Sequence, residues 1–149
     1  MLSAWDKFEQ VVKSEIRKRY SEAVVKFIMN SKNLGSLENA DGFARVTGPC
    51  GDTMEIWLKV NGDTIVETGF TTDGCGTTIA SGSMITEMAK GKSLTEARKI
   101  GRQEVLEALG GLPEEHQHCA LLAANTLKAA ILDYSEMKKH PWKKAYRTY

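Results

Sequence analysis

Residues 53–72 read TMEIWLKVNGDTIVETGFTT. Met54, Ile56, Leu58 and Val60 alternate with Glu55, Trp57 and Lys59, the two-residue period of a strand buried on one face. Asn61-Gly62-Asp63 follows. Asn-Gly accepts the positive φ angles of a type I′ turn, so the chain reverses there and Ile65 to Thr71 returns as the partner strand. Phe43 to Thr47 supplies a further short strand. These residues predict a small antiparallel sheet of about three strands.

Helical periods lie on both sides of this sheet. Trp5, Phe8, Val12, Ile16, Tyr20, Val24 and Phe27 recur at helical spacing from about Ser3 to Asn30, with Ser3 and Asp6 placed as a capping box and a basic face between Lys13 and Arg19. NSKNLGS then breaks the helix. After the hairpin, a helix is expected from about Thr77 to Lys90, with Ile79, Met84, Ile85 and Met88 facing inward and Gly91 ending it. SLTE at 93–96 caps a short helix stopped by Gly101. Another runs from about Gln103 to Leu109, and a long one from His116 or Gln117 to Met137 carries Leu121, Leu122, Ala124, Leu127, Ala130, Ile131 and Tyr134. The fold class is therefore α+β: a sheet packed against several helices, with long N- and C-terminal helices. Residues 1–149 make a single domain, with a helical extension over 1–19 and a basic, mobile tail over 138–149.

A net charge of +1 offers no electrostatic reason to expect nucleic acid or a membrane as partner. No apolar run approaches the length of a membrane span, and the acids of MLSAWDKFEQVVKSEIRKRY argue against a secretory signal or transit peptide. The expected location is the cytoplasm. The chain has three cysteines, an odd number that cannot close a disulfide framework. Sparse thiols in an intracellular chain are more often metal ligands or reactive groups.

Cys50 and Asp52, in GPCGD, come just before the outgoing strand, and Cys75, in DGCG, just after the returning one. Antiparallel pairing brings these two ends together despite the 25 residues between the thiols. Gly48, Gly51, Gly74 and Gly76 leave room for an object close to the chain. His118 and Cys119 fall in the first turn of the last helix, where backbone N–H groups and the helix dipole favour a thiolate and lower the cysteine pKa. Cys50, Asp52, Cys75, His118 and Cys119 form a mixed donor set suited to zinc, iron or an iron–sulfur cluster. There is no C-x-x-C, so this is not a zinc-finger pattern, and H-x-E of the nucleobase deaminases is missing. A thiol enzyme using Cys119 with His118 as base lacks any oxyanion motif.

GPCGDTMEIWLKV, FTTDGCGTTIASGSMITEMAKGKSLTEA and HCALLAANTLKAAILDY resemble the IscU/NifU-type iron–sulfur cluster assembly scaffolds, with the likeness running from about Tyr20 to Tyr134. The resemblance implies a scaffold without substrate turnover of its own. It would accept persulfide sulfur from a cysteine desulfurase and iron from a donor, take electrons from a ferredoxin-type donor, and pass a [2Fe–2S] cluster to acceptor apoproteins. Cys50, Cys75 and Cys119 correspond to the cysteine ligands, Asp52 to the aspartate that keeps the site labile, and His118 to the fourth-ligand candidate. Cys119 is the expected first persulfide acceptor. The alternative is a SufU-like zinc-binding sulfur acceptor that activates a desulfurase. That branch carries an insertion between its second and third cysteines and lacks the histidine; this chain has the histidine and no insertion. LPEEH at 112–116 replaces the LPPVK by which an Hsp70/J-type chaperone recognises the bacterial scaffolds, so chaperone binding does not carry over. His116, at the Lys position, is either an extra ligand or a helix-start residue, and the second reading is favoured. The N-terminal helix is longer than the family's usual start and offers a surface for a homodimer.

Overall fold

The computed structural model describes residues 3–142, and of residues 13 and 15–19 the backbone alone. Six α-helices and a three-stranded antiparallel sheet are found there. They run in the order α1 (Ala4–Arg19), α2 (Glu22–Met29), β1 (Gly42–Thr47), β2 (Thr53–Asn61), β3 (Thr64–Thr72), α3 (Gly76–Ala89), α4 (Leu94–Arg98), α5 (Arg102–Ala108) and α6 (Gln117–Lys139). A 3-10 turn over Glu114–His116 leads into α6. None of the helices is long and apolar enough to cross a membrane.

The sheet has the order β1-β2-β3, with Ile56 paired to Ala44 on one side and to Phe70 on the other. Met54, Ile56, Leu58, Ile65 and Phe70 are fully buried in one cluster with Ile85 of α3 and Leu127 and Ile131 of α6. On the opposite face, Arg45 pairs with Glu55 (3.1 Å) and Lys59 with Glu67 (3.4 Å) directly across the strands. Trp57 lies at an outer register position yet is 5% exposed, packed against the Phe43 ring at 5.1 Å. The free edge of β3 is covered by residues 33–35, through Phe70 N–H to Asn33 O and Gly35 N–H to Phe70 O, which removes an unpaired strand edge.

Three local expectations are corrected. The helix read over residues 3–30 is two helices. Ser21 takes an extended conformation, its hydroxyl oxygen accepts from Val24 N–H to cap α2, and it donates to Leu109 O at the end of α5. A residue serving as N-cap cannot also lie inside a helix. The capping box at Ser3 and Asp6 is present, but Trp5 and Phe8 of α1 are 69% and 59% exposed and contact one another instead of the core. In the hairpin, Asn61 pairs with Thr64, so the central turn residues are Gly62 and Asp63. Only Gly62 has positive φ (65°), the φ signature of a type II′ turn rather than I′. Finally, α6 extends to Lys139, into the segment read as a tail, and Leu121 on it is exposed. The rest of that tail lies largely outside the described residues.

α3 is packed through small side chains. Ala80, Ser81, Ser83, Thr86 and Ala89 are fully buried; Ser81 and Thr86 donate locally, to Thr77 O (2.8 Å) and Gly82 O (2.7 Å), while Ser83 Oγ accepts from Lys32 N–H (3.2 Å). Gly82 lets this helix approach the sheet: a Cβ there would lie 2.4 Å from the Phe70 ring. Gly82→Ala is expected to destabilise the fold by about 1–3 kcal/mol from overpacking, outweighing the roughly 1 kcal/mol that alanine gains over glycine in a helix. A lower urea midpoint at unchanged slope would show it; an unchanged or raised midpoint would refute the close packing.

Candidate metal centre

Three segments of chain arrive at the same end of the sheet. Thr47 pairs with Thr53 where β1 turns into β2, and the intervening loop, residues 48–52, is closed by Gly48 N–H to Asp52 O (2.8 Å) and Gly51 N–H to Gly48 O (3.0 Å). Gly51 takes φ 86°, where a side chain is strained. The outgoing end of β3 is tied to the same place: Asp73 Oδ1 accepts from Thr53 N–H (2.7 Å) and Thr72 Oγ1 donates to Thr53 O (2.7 Å). Cys75 then stands at the N-cap of α3. The third segment is the 3-10 turn and the first residues of α6, brought in because α6 packs along β1, β2 and α3.

Two groups of donor atoms result. Cys75 Sγ, one ring nitrogen of His116 and Cys119 Sγ lie within 4.8 Å of one another, as do a carboxylate oxygen of Asp52, a ring nitrogen of His118 and Cys119 Sγ. Cys119 belongs to both. Donors bound at 2.0–2.3 Å to a tetrahedral ion are roughly 3.3–3.8 Å apart, so about an ångström of closure would bring either group onto one metal. Thiolate and imidazole are suitable donors for zinc and iron, and the carboxylate is the hard, weaker partner for such metals.

The convergence expected of Asp52, Cys75, His118 and Cys119 is present. Cys50 is an exposed thiol on the 48–52 loop and stands outside both groups. His116, for which the sequence favours a helix-start residue over an extra ligand, stands inside one. The spacing carried a signal: residues three apart share a helical face, and His116 precedes Cys119 by three.

Thr77 and Thr78, overlooked in the sequence, join the groups. The Thr77 hydroxyl meets Cys75 Sγ (3.0 Å), His116 Nδ1 (3.4 Å) and Cys119 Sγ (3.5 Å). The Thr78 hydroxyl donates to Asp52 Oδ2 (3.3 Å) and meets Cys119 Sγ (3.3 Å) and Cys75 Sγ (3.8 Å). Gly74 makes room for this: a Cβ there would be 2.5 Å from the Thr78 hydroxyl oxygen. His118 Nε2 lies 3.7 Å from Cys119 Sγ.

The two central thiols differ electrostatically. Partial burial pushes the Cys75 thiol up, but the hydroxyls and backbone N–H groups of Thr77 and Thr78 outweigh it and hold Cys75 below the ordinary thiol range. Burial pushes Cys119 up; the threonine hydroxyls oppose this, and the neighbouring Cys75 and Asp52 charges reinforce it, leaving Cys119 above that range. The lowered pKa expected for Cys119 from its helix start is thus reversed. Cys119 is 0% exposed, and loss of water costs its thiolate more than the helix N-terminus returns.

Residues 19–141 match the NifU-like N terminal domain. The chain is 50% identical over 116 residues to the iron-sulfur cluster assembly scaffold protein IscU 1 of Archaeoglobus fulgidus, covering 77% of this chain and 76% of that protein. It is 44% identical over 125 residues to the iron-sulfur cluster assembly scaffold protein IscU of Escherichia coli K12, covering 80% and 97%. Among solved structures it is similar to a putative iron-sulfur cluster assembly scaffold protein for the SUF system from Fervidobacterium islandicum AW-1, with TM-score 0.61, 26% identity, and coverage of 75% of this chain and 96% of that one.

Proposed function

The chain belongs to the NifU-like N-terminal domain family, and from that premise we propose that it is a scaffold on which a [2Fe–2S] cluster is assembled and from which the cluster is transferred. The observation that carries this is the meeting of Cys75 and Cys119 with Asp52 and two histidines, from segments far apart in the chain. Relatives named as scaffolds support a carrier role without turnover.

Sulfur would arrive as persulfide on a cysteine desulfurase. The Cys75 thiolate attacks the outer sulfur; a new S–S bond forms at Cys75, the donor's S–S bond breaks, and the donor cysteine leaves as thiolate. Exposure and a lowered pKa favour Cys75 for this step over buried Cys119, the acceptor expected from the sequence. Reducing that sulfur to sulfide takes two electrons, which a ferredoxin-type donor would supply, and an iron donor brings the metal. Cys75, Cys119 and, after closure of the 48–52 loop, Cys50 would ligate the cluster, with Asp52 or His118 as the remaining ligand. Thiolates hold iron–sulfur clusters more firmly than carboxylates do, so Asp52 keeps the product releasable to acceptor apoproteins.

Anaerobic reconstitution with iron, cysteine and a desulfurase tests this reading. The expected result is a visible sulfide-to-iron absorption spectrum and transfer of the cluster to an apo-ferredoxin. Stoichiometric zinc retained without those bands, together with stimulation of the desulfurase, would instead establish the SufU-like sulfur acceptor. Asp52→Ala, which leaves the remaining position to the His118 imidazole, a better donor for iron than a carboxylate, is expected to lengthen the cluster's lifetime and slow its transfer by about tenfold or more, the factor for roughly 1.4 kcal/mol. Unchanged lifetime and transfer rate would remove the carboxylate from the release step.

A further inference from the structure

His116 has the credentials of a metal ligand. It belongs to a donor group made of two thiols and one imidazole, Cys75, His116 and Cys119, with no carboxylate in it. Its Nδ1 reaches the Thr77 hydroxyl that also touches both sulfurs. The Tyr20 ring packs against the His116 ring at 6.1 Å and 56°, and the turn behind it is closed by His116 N–H to Pro113 O (2.8 Å). The ring is therefore held from two sides with one nitrogen toward the thiols. The second group, Asp52, His118 and Cys119, offers one sulfur only. Zinc favours sulfur and nitrogen donors, and a three-ligand site leaves its fourth position open to exchange.

We propose that His116 is a first-row metal ligand of this chain, and that the cluster-free protein holds a zinc ion through Cys75, His116 and Cys119. This rests on the reading of the thiol site as a metal centre. Cys50, Asp52 and His118 stay outside this set. The ion occupies the two central sulfurs until sulfur and iron displace it, and the displaced His116 can then leave without disturbing the Asp52 side of the site. The chain thus carries two overlapping donor sets that share Cys75 and Cys119: a Cys2His set for the resting ion, and the cluster set, which adds Cys50 and takes its remaining ligand from Asp52 or His118.

The test uses the full chain, metal-free and then loaded with one equivalent of zinc, with nitrogen-15 in the histidines. Long-range proton–nitrogen spectra are expected to show the His116 Nδ1 moved to a metal-bound shift with its Nε2 protonated, while His118 keeps the signals of the metal-free protein. In competition with a chelator, His116→Lys is expected to weaken zinc by more than about 100-fold, beyond the 10–100-fold typical of losing a group that only supports a ligand. His118→Ala should weaken it by less than tenfold. A metal-bound signal on His118 with none on His116 overturns the assignment while leaving the metal centre intact. Failure of the wild-type chain to retain zinc at all, with its thiols reduced, overturns the metal-centre reading itself. The wild-type spectra decide the matter even if the lysine variant does not fold.

Discussion

Cys119→Ser is expected to abolish cluster assembly, with no sulfide-to-iron absorption after anaerobic reconstitution. Cys119 Sγ is the one donor common to the Asp52–His118 and Cys75–His116 groups, so its loss leaves each with two donors. A serine hydroxyl is a poor substitute: it is a harder donor and is protonated at neutral pH. The same replacement should be mild for the fold. The side chain sits at 0% exposure, but the Thr77 and Thr78 hydroxyls lie 3.5 and 3.3 Å from the sulfur and can pair with a hydroxyl in its place. Buried polar groups so paired carry little penalty. Thermal unfolding of the metal-free variant should therefore stay near that of the parent while assembly disappears. Wild-type cluster yield in the variant would remove Cys119 from the ligand set.

Cys75 is expected to be alkylated by iodoacetamide at least about 100-fold faster than Cys119 in the metal-free protein at neutral pH. Two causes act in the same direction. Cys75 is exposed and Cys119 is not, and a thiol reached only through a local opening that costs about 3 kcal/mol reacts about 100-fold more slowly. The ionisations add to this. Cys75 reactivity should rise and level off below the ordinary thiol pKa, because its thiolate is favoured by the Thr77 and Thr78 hydrogen bonds; Cys119 reactivity should still be climbing above it. Isotope-coded labelling followed by peptide mass spectrometry reads both rates in one sample. Equal rates would mean that Cys119 is as accessible as Cys75, and the persulfide would then have no reason to enter at Cys75 first.

These two cysteines also show where sequence reading succeeded and where it stopped. The alternation from Met54 to Leu58 and the Asn-Gly turn led directly to the hairpin, and the hairpin led to the meeting of the Asp52 and Cys75 loops at its open end. Strand periodicity is local, so it survives in a single sequence. The capping box of α4 was legible for the same reason. The break between α1 and α2 was not. Apolar spacing runs on from Tyr20 to Val24 across the break, and Ser21, which caps α2 locally through Val24 N–H, is also held by a tertiary bond to Leu109 O, 88 residues away, that no local pattern records.

By itself, the sequence settled the α+β class, the antiparallel hairpin and the identity of four of the donors that converge. The tertiary structure alone decided that Cys50 stands apart, that Cys75 reaches the His116–Cys119 pair, and that Cys119 is a buried thiol with a raised pKa rather than an activated one. The physical reason is that donor type and strand period are properties of residues and their near neighbours. Distance across a fold and exposure to water depend on how α6 packs against the sheet and α3, and no local spacing records either.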